Sequence, residues 1–310
     1  MYIRPLILAA LLLPTLAHAQ APWPVVRRDA RLEAQLQQLA QGVRGDVGIY
    51  VRQLKSGRGV TIRADELFPT ASMIKVPILA TTFDRIATGQ LTYDTVLTWA
   101  DSLRYRGEDD LFDKLQGGAK IPLNQVSLMM ITTSDNAAAL WLQALVGGGV
   151  AVNTWLHANG FDSTRLNSRT PGREANRTAY GWGQTTPREM AELLVRIRDG
   201  KAVSPAASAQ MYRHLTRIYW NGEALSALPP WVQAASKQGA VDRSRSEVVL
   251  VNAPSGDYVF AVITKKQADT SYTPNNEGYV LLRKVSALLW KTFEPKRPWT
   301  PPAGVEKYIP

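Results

Sequence analysis

Three short runs carry side chains that could do chemistry together: Ser72-Met73-Ile74-Lys75, Ser134-Asp135-Asn136 and Lys237-Gln238-Gly239. Pro69-Thr70-Ala71 precedes the first and Val76-Pro77-Ile78-Leu79 follows it. Ser72 therefore falls in the first turn of a helix, and Lys75 shares its face. The start of a helix directs backbone N–H groups and the positive end of a dipole at the serine, which favours developing negative charge. A neutral lysine beside a serine hydroxyl can take its proton, as a histidine would. Burial and a second nearby cation would lower the lysine pKa toward that role. Each run also has a plainer reading. Ser-x-x-Lys fits a capped helix with a solvated lysine. Ser-Asp-Asn fits an ordinary helix start, since Ala137 to Leu142 continues as one. Lys-Gln-Gly fits a strand end.

Composition narrows the chemistry. The chain holds three histidines, His18, His157 and His214. Neither His157 nor His214 sits in a nucleophile-elbow or metal-binding context, so each reads as a helix-surface or core residue. Serine chemistry here needs a base other than histidine. The absence of cysteine excludes disulfides, a Cys-based zinc site, a thiol nucleophile and lipid attachment through cysteine. No metal or organic cofactor is suggested.

With 310 residues, 45% of them hydrophobic, the chain can bury a large core. Arg4, the apolar run from Pro5 to Leu16 and the small-residue pattern Ala17-His18-Ala19 read as an export signal cleaved after Ala19, making 1–19 a signal peptide. The alternative, a membrane anchor, is disfavoured because a span needs about 20 apolar residues. The mature chain is expected to be exported, periplasmic or secreted, with no membrane span and as a monomer. The formal charge of +10 falls by one when Arg4 leaves. Scattered basic residues and an export signal argue against nucleic acid. An anionic small substrate or acidic wall polymer suits the balance, and a solvated surface accounts for most of the charge.

The elements that must position the three runs follow from periodicity. Residues 20–29 read as a flexible leader. Ala30 to Gln41 is helical, with Leu32, Leu36 and Leu39 on one face. Asp46 to Gln53 and Val60 to Arg63 read as a hairpin around Lys55-Ser56-Gly57-Arg58-Gly59. Segments 72–88, 122–131, 134–146, 151–159, 187–199 and 204–216 carry helical periodicity. Gln233 to Gly239, Ser246 to Asn252 and Tyr258 to Lys265 read as strands, and 276–292 as a closing helix. Strands at both ends and helices between predict an α+β fold. An antiparallel sheet is built from both termini (30–66 and 218–310) with flanking helices, and 67–217 forms an all-helical insertion lobe. Sites form readily in the cleft between such lobes.

The order Ser-x-x-Lys, Ser-Asp-Asn, Lys-x-Gly resembles the class A β-lactamase and penicillin-binding serine hydrolase superfamily. The resemblance extends from the first hairpin to the final helix, and includes Ile131-Thr132-Thr133 before Ser134 and Thr185-Thr186-Pro187 opening a later helix. It implies β-lactam opening through acylation of Ser72, with Lys75 as proton-transfer partner and Ser134 relaying the proton to the leaving nitrogen. It further implies that Asn136 holds the substrate's side-chain amide and that the N–H groups of Ser72 and Ala240 form an oxyanion hole. Lys237 would supply charge to the substrate carboxylate, with Arg245 replacing or assisting it. Tyr105 lies where the family has an aromatic residue at the pocket mouth.

Two departures stand out. Gln238 replaces the hydroxyl residue of Lys-Thr-Gly or Lys-Ser-Gly, and binds a carboxylate with different geometry. The family's loop pattern Arg-x-Glu-x-x-x-Asn carries the glutamate that activates the deacylating water. Here Thr170 falls at that glutamate and Glu174 at the asparagine. Glu174 either reaches the same water from the opposite side or is a solvated loop acid. Three readings remain open: a β-lactam hydrolase, a penicillin-binding peptidase or esterase with slow deacylation acting on peptidoglycan-like peptides, and a non-catalytic wall-binding module.

Overall fold

The computed structural model describes residues 23–105 and 110–308. The expected signal peptide and residues 20–22 lie outside the described residues. In chain order the first elements are β1 (Arg27–Arg28), α1 (Ala30–Ala40), β2 (Asp46–Gln53), β3 (Arg58–Ile62), β4 (Phe68–Pro69), α2 (Lys75–Ala87), β5 (Val96–Thr98) and β6 (Lys120–Pro122). Then come α3 (Leu123–Thr132), α4 (Asn136–Leu145), α5 (Gly148–Ala158), β7 (Arg165–Leu166), α6 (Glu174–Tyr180), β8 (Gly183–Thr185), α7 (Pro187–Arg198) and α8 (Pro205–Leu215). The chain closes with β9 (Ala234–Val241), β10 (Ser244–Val251), β11 (Tyr258–Lys265) and α9 (Glu277–Phe293).

The main sheet runs β1-β3-β2-β11-β10-β9, so strands from both ends of the chain meet in one layer. Its pairs are antiparallel apart from β1 with β3, which is parallel. Both faces are buried, and the period-2 alternation of a strand sorts side chains between two cores. Ile49, Val51, Val249, Val251, Phe260 and Val262 join α1 and α9 on one face. Tyr50, Val248, Leu250, Val259, Ala261 and Ile263 meet the helices of the central segment on the other.

Two expectations need correction. The insertion is not all helical: it also holds a three-stranded sheet, β4-β8-β7, and the pair β5-β6. These strands are two or three residues long, too short for periodicity to register. Nor is the described part of the leader a flexible tail. Arg27 and Arg28 pair with β3, and Asp29 caps α1 by accepting from the Leu32 N–H at 3.0 Å. Trp23 packs on Phe161 with ring centroids 5.4 Å apart. Among the described residues no single helix is long and apolar enough to cross a bilayer.

Candidate active site

Ser72 sits in a 3₁₀ turn, Ala71–Ile74, that runs directly into α2. Ala71 holds φ +44°, a conformation L-residues rarely adopt, and so turns the chain from β4 into the helix. Pro77 is tolerated in the first turn of α2 because an N–H there would have no intrahelical partner. Asp135 of the second run is a structural cap. Its carboxylate accepts from the Ala138 N–H at 2.7 Å and the Phe112 N–H at 3.0 Å. Between α3 and that cap, Ser134 takes φ +61°, which breaks the helix and turns its hydroxyl toward Lys75. The third run lies on β9, the edge strand, against the Ser72 turn. A Cβ on Gly239 would come within 2.7 Å of the Thr70 carbonyl and 2.9 Å of Ala71 Cβ, so only glycine permits this approach.

These elements join their side chains in one network. Lys75 Nζ donates to Ser72 Oγ at 3.1 Å, Ser134 Oγ at 3.0 Å and Asn136 Oδ1 at 2.8 Å, and also contacts the Ser134 carbonyl. Lys237 Nζ donates to the same Ser134 Oγ at 2.9 Å, to the Gln238 carbonyl at 3.0 Å and to Gln238 Oε1 at 2.9 Å. Both lysines are fully buried. Burial lowers the Lys75 pKa to about 7, against the opposing pull of Asp110 and Asp135. Burial, and then the charge of Lys75, push Lys237 well below its usual range. A hydroxyl held between two such amines is placed to pass a proton between them.

The cleft over this network has a volume of about 210 Å³, with Ser72, Ser134, Asn136 and Ala240 in its wall. Asn136 gives its amide oxygen to Lys75, while its backbone N–H donates to Asp110 Oδ1 at 2.7 Å. A larger cavity of about 720 Å³ lies between the loop before β9 and the C-terminal tail. It includes none of the network residues, so chemistry rather than size identifies the smaller cleft.

Several residues singled out from sequence lie elsewhere. Arg245 is fully buried and turned away from the cleft. Its guanidinium donates to the carbonyls of Val241, Asp242, Ser244, Thr270 and Ser271 and packs 4.4 Å from the centroid of Tyr272 and 5.1 Å from that of Tyr279. The expected carboxylate ligand is instead an anchor for the loop before α9. Glu174 is exposed in the first turn of α6, accepts from the Gly172 N–H at 3.2 Å and is absent from the cleft wall. Thr170 is buried, its hydroxyl donating to the Ser168 carbonyl and lying where any Cβ on Gly149 would fall. Tyr105 is exposed and packs edge-on against Trp182 at 5.3 Å, outside the wall. His214 is buried in α8 against Tyr93, and His157 pairs with Asp162 on the surface of α5.

Sequence reasoning missed the rest of the wall: Asp110, Thr133, Trp220, Glu223, Tyr272 and Tyr279. Asp110, Trp220, Glu223 and Tyr272 lie in loops, Thr133 follows α3 and Tyr279 lies in α9, so they form no short pattern. The one legible signal is the aromatic and acidic run Tyr219-Trp220-Asn221-Gly222-Glu223 after α8. Behind it, Glu247 on β10 lies opposite Gln238 in register and is fully buried. It accepts from Ser236 Oγ at 2.5 Å and the Ala224 N–H at 2.7 Å.

The profile of the Beta-lactamase enzyme family matches residues 31–293. The chain belongs to that family. A solved structure of PBP-A is similar at 27% identity and TM-score 0.78, covering 88% of this chain and 100% of that one. A substituted PBP-A captured as an acyl-enzyme with penicillin G matches at 27% identity and TM-score 0.77, over 89% and 100%. A β-lactamase from Sphaerobacter thermophilus shares the fold at 21% identity and TM-score 0.77, over 87% and 100%. Family and fold support serine β-lactamase-like function.

Proposed function

We propose that this protein is a serine acyl-enzyme hydrolase that opens β-lactams by acylating Ser72 and releases the acyl group slowly. The single observation that carries this reading is the fully connected Ser72-Lys75-Ser134-Lys237 network, whose two serines line a cleft and whose two lysines are buried behind it. Neutral Lys75 takes the Ser72 proton as Oγ bonds to the lactam carbonyl carbon. The backbone N–H groups of Ser72 and Ala240 hold the oxyanion. As the C–N bond breaks, Ser134 gives its proton to the leaving nitrogen and is reprotonated from Lys75. Water then hydrolyses the ester.

Slow release rests on the loop before α6. Thr170 packs on α5, and Glu174 is solvated, so that loop brings no carboxylate to the cleft wall. The similarity to PBP-A fits the same reading. The test is labelling with a fluorescent penicillin, followed by mass spectrometry of the adduct over time. A Ser72 adduct with a half-life of minutes or longer, absent in Ser72→Ala, is expected. Turnover on the sub-second scale would overturn slow release, and labelling that survives Ser72→Ala would overturn the nucleophile. We also propose export, supported by the Arg4 to Ala19 pattern. An extracytoplasmic protein beginning at Gln20 is expected on N-terminal sequencing, and an intact cytoplasmic Met1 would refute it.

A further inference from the structure

The cavity between the loop before β9 and the C-terminal tail is built as a site of its own. Its volume of about 720 Å³ falls in the range of ligand pockets, about 300–1,000 Å³. Both rims are stiff: Pro229 and Pro230 stand in one, Pro301 and Pro302 in the other, and each fixes its own φ. The tail is tied down before it reaches the cavity, since Trp290 Nε1 donates to the Arg297 carbonyl at 2.8 Å. Trp231 from the loop and Trp299 from the tail then meet edge to face, with ring centroids 4.9 Å apart and planes at 81°. A pocket held in this way needs little reordering when a ligand arrives.

Its lining is aromatic and uncharged. Trp231 is 66% exposed and Tyr308 87% exposed, so both keep ring surface open to a ligand. Single exposed aromatic residues are ordinary, but three in one concavity rimmed by polar groups mark a binding surface. Asn221 and Gln233 are exposed in the same cavity, and their carboxamides have no partner among the described residues. Each offers donors and an acceptor together. Among the described residues no carboxylate, ammonium, guanidinium or imidazole lines the cavity. An ion brought here would lose water and find no counter-charge, which disfavours an acidic polymer or a charged peptide. A polyproline helix, another neutral ligand of aromatic grooves, offers carbonyls and no N–H, and would leave the carboxamide oxygens unpaired. A sugar ring matches the lining. Its hydroxyls donate and accept as the carboxamides do, and its C–H face carries the slight positive charge that the negative face of an indole attracts.

We propose that this cavity is a binding site for an uncharged oligosaccharide, with Trp231 as the ring on which a sugar packs and Asn221 and Gln233 as its hydrogen-bonding partners. The site adjoins the catalytic cleft. β9 begins in the cavity at Ala234 and reaches the cleft at Gln238, about 13 Å on at about 3.3 Å per residue. The segment after α8 faces both, with Asn221 and Leu225 in the cavity and Trp220 and Glu223 in the cleft. Because the cavity includes none of the network residues, a glycan can be held there without covering Ser72. The proposal is independent of the acylation reading.

The test is isothermal titration calorimetry of the purified protein with chitotetraose, cellotetraose and decaproline, each at low and at high salt. At least one tetrasaccharide is expected to bind in the micromolar to millimolar range. Its affinity should not change with salt, because no ion pair is made and the net positive charge of the protein takes no part. Trp231→Ala is expected to weaken binding by about tenfold or more, and Trp231→Phe to restore part of that loss. Gln233→Ala, at an exposed position, is a second variant that removes one hydrogen-bonding partner and is expected to weaken binding by a smaller factor. Absence of binding by both tetrasaccharides, affinity that neither Trp231→Ala nor Gln233→Ala lowers, affinity that collapses at high salt, or binding of decaproline in their place would each overturn the proposal. The calorimetry reads no covalent step, so any of these outcomes leaves Ser72 acylation untouched.

Discussion

At the scale of single residues, the chemistry depends on an amine that is neutral at the working pH. Lys75 is fully buried, and four acceptor atoms surround its nitrogen. Burial brings its pKa to about 7. Below that value most of the population is an ammonium that cannot take the Ser72 proton. The acylation rate should therefore rise about tenfold per pH unit up to about 7 and then level, in stopped-flow measurements with a chromogenic cephalosporin. Asp110 and Asp135 both favour the ammonium. Asp110→Asn should accordingly move the midpoint to lower pH; a shift to higher pH would show that Lys75 is not the group titrating. Glu174 gives a complementary expectation. Because it is exposed and bonded to the Gly172 N–H, Glu174→Gln should leave deacylation within about twofold of wild type. A loss of the 10²- to 10⁴-fold typical of a general base would restore Glu174 to the mechanism.

At the scale of elements, the site is the junction of one turn, one helix cap and one edge strand. The 3₁₀ turn before α2 carries Ser72, the break between α3 and α4 carries Ser134, and β9 carries Lys237. Ala71 and Ser134 hold positive φ, and such strain, typically about 1–3 kcal/mol each, persists only where surrounding packing enforces it. Gly239 is the contact that brings β9 against the Ser72 turn. Gly239→Ala would place a methyl group 2.7 Å from the Thr70 carbonyl and 2.8 Å from Ser246 Oγ. Backbone cannot yield as a side-chain end can, so β9 must move outward and carry Lys237 and Ala240 with it. Acylation should fall by about 10²-fold, the scale expected of a 1 Å misplacement, while thermal unfolding stays cooperative. Unimpaired acylation would mean that β9 is not held in register by this contact.

At the scale of the whole molecule, buried ionisable groups couple the site to global stability. Glu247 is fully buried on the central sheet, and burial with the neighbouring charge of Glu223 pushes its pKa up to about 8. Its ordinary value is 4.5. A carboxyl raised in the fold stabilises it fully below the unfolded pKa, and that contribution is lost as pH climbs toward the folded value. Between pH 4.5 and 8 it should erode stability progressively as the pH rises. Lys75 acts in the opposite sense at higher pH, since its folded pKa lies below its unfolded one and stability rises from about 7 to 10.5. Glutamine mimics the protonated acid and can still bond Ser236 and the Ala224 N–H. Glu247→Gln should therefore raise Tm at pH 8 relative to wild type and change it little at pH 4.5. An equal change at both values would show that Glu247 does not titrate in this range.

Sequence alone determined the pieces whose cause is local. The α1 to β3 hairpin region, the long helices and β9 to β11 follow from periodicity, because one buried face imposes period 3.6 or 2 on the residues themselves. Ser72, Lys75, Ser134, Asn136 and Lys237 were legible because each lies in a short run whose residue types have a shared chemistry. Only the tertiary structure decided what fills the space around them. Arg245 looked like a carboxylate ligand on its strand, but distant carbonyls at Thr270 and Ser271 took its guanidinium. Thr170 and Glu174 kept the family's loop spacing, yet packing against Gly149 and exposure to solvent set where they sit. Asp110, Glu223 and Glu247 come from three separate stretches of chain, and no pattern in any one of them states that they will share a cleft or the layer behind it. Side-chain direction and electrostatic environment are properties of contacts far apart in sequence. A motif names the reacting groups, and the charge they work in arises only when the chain closes around them.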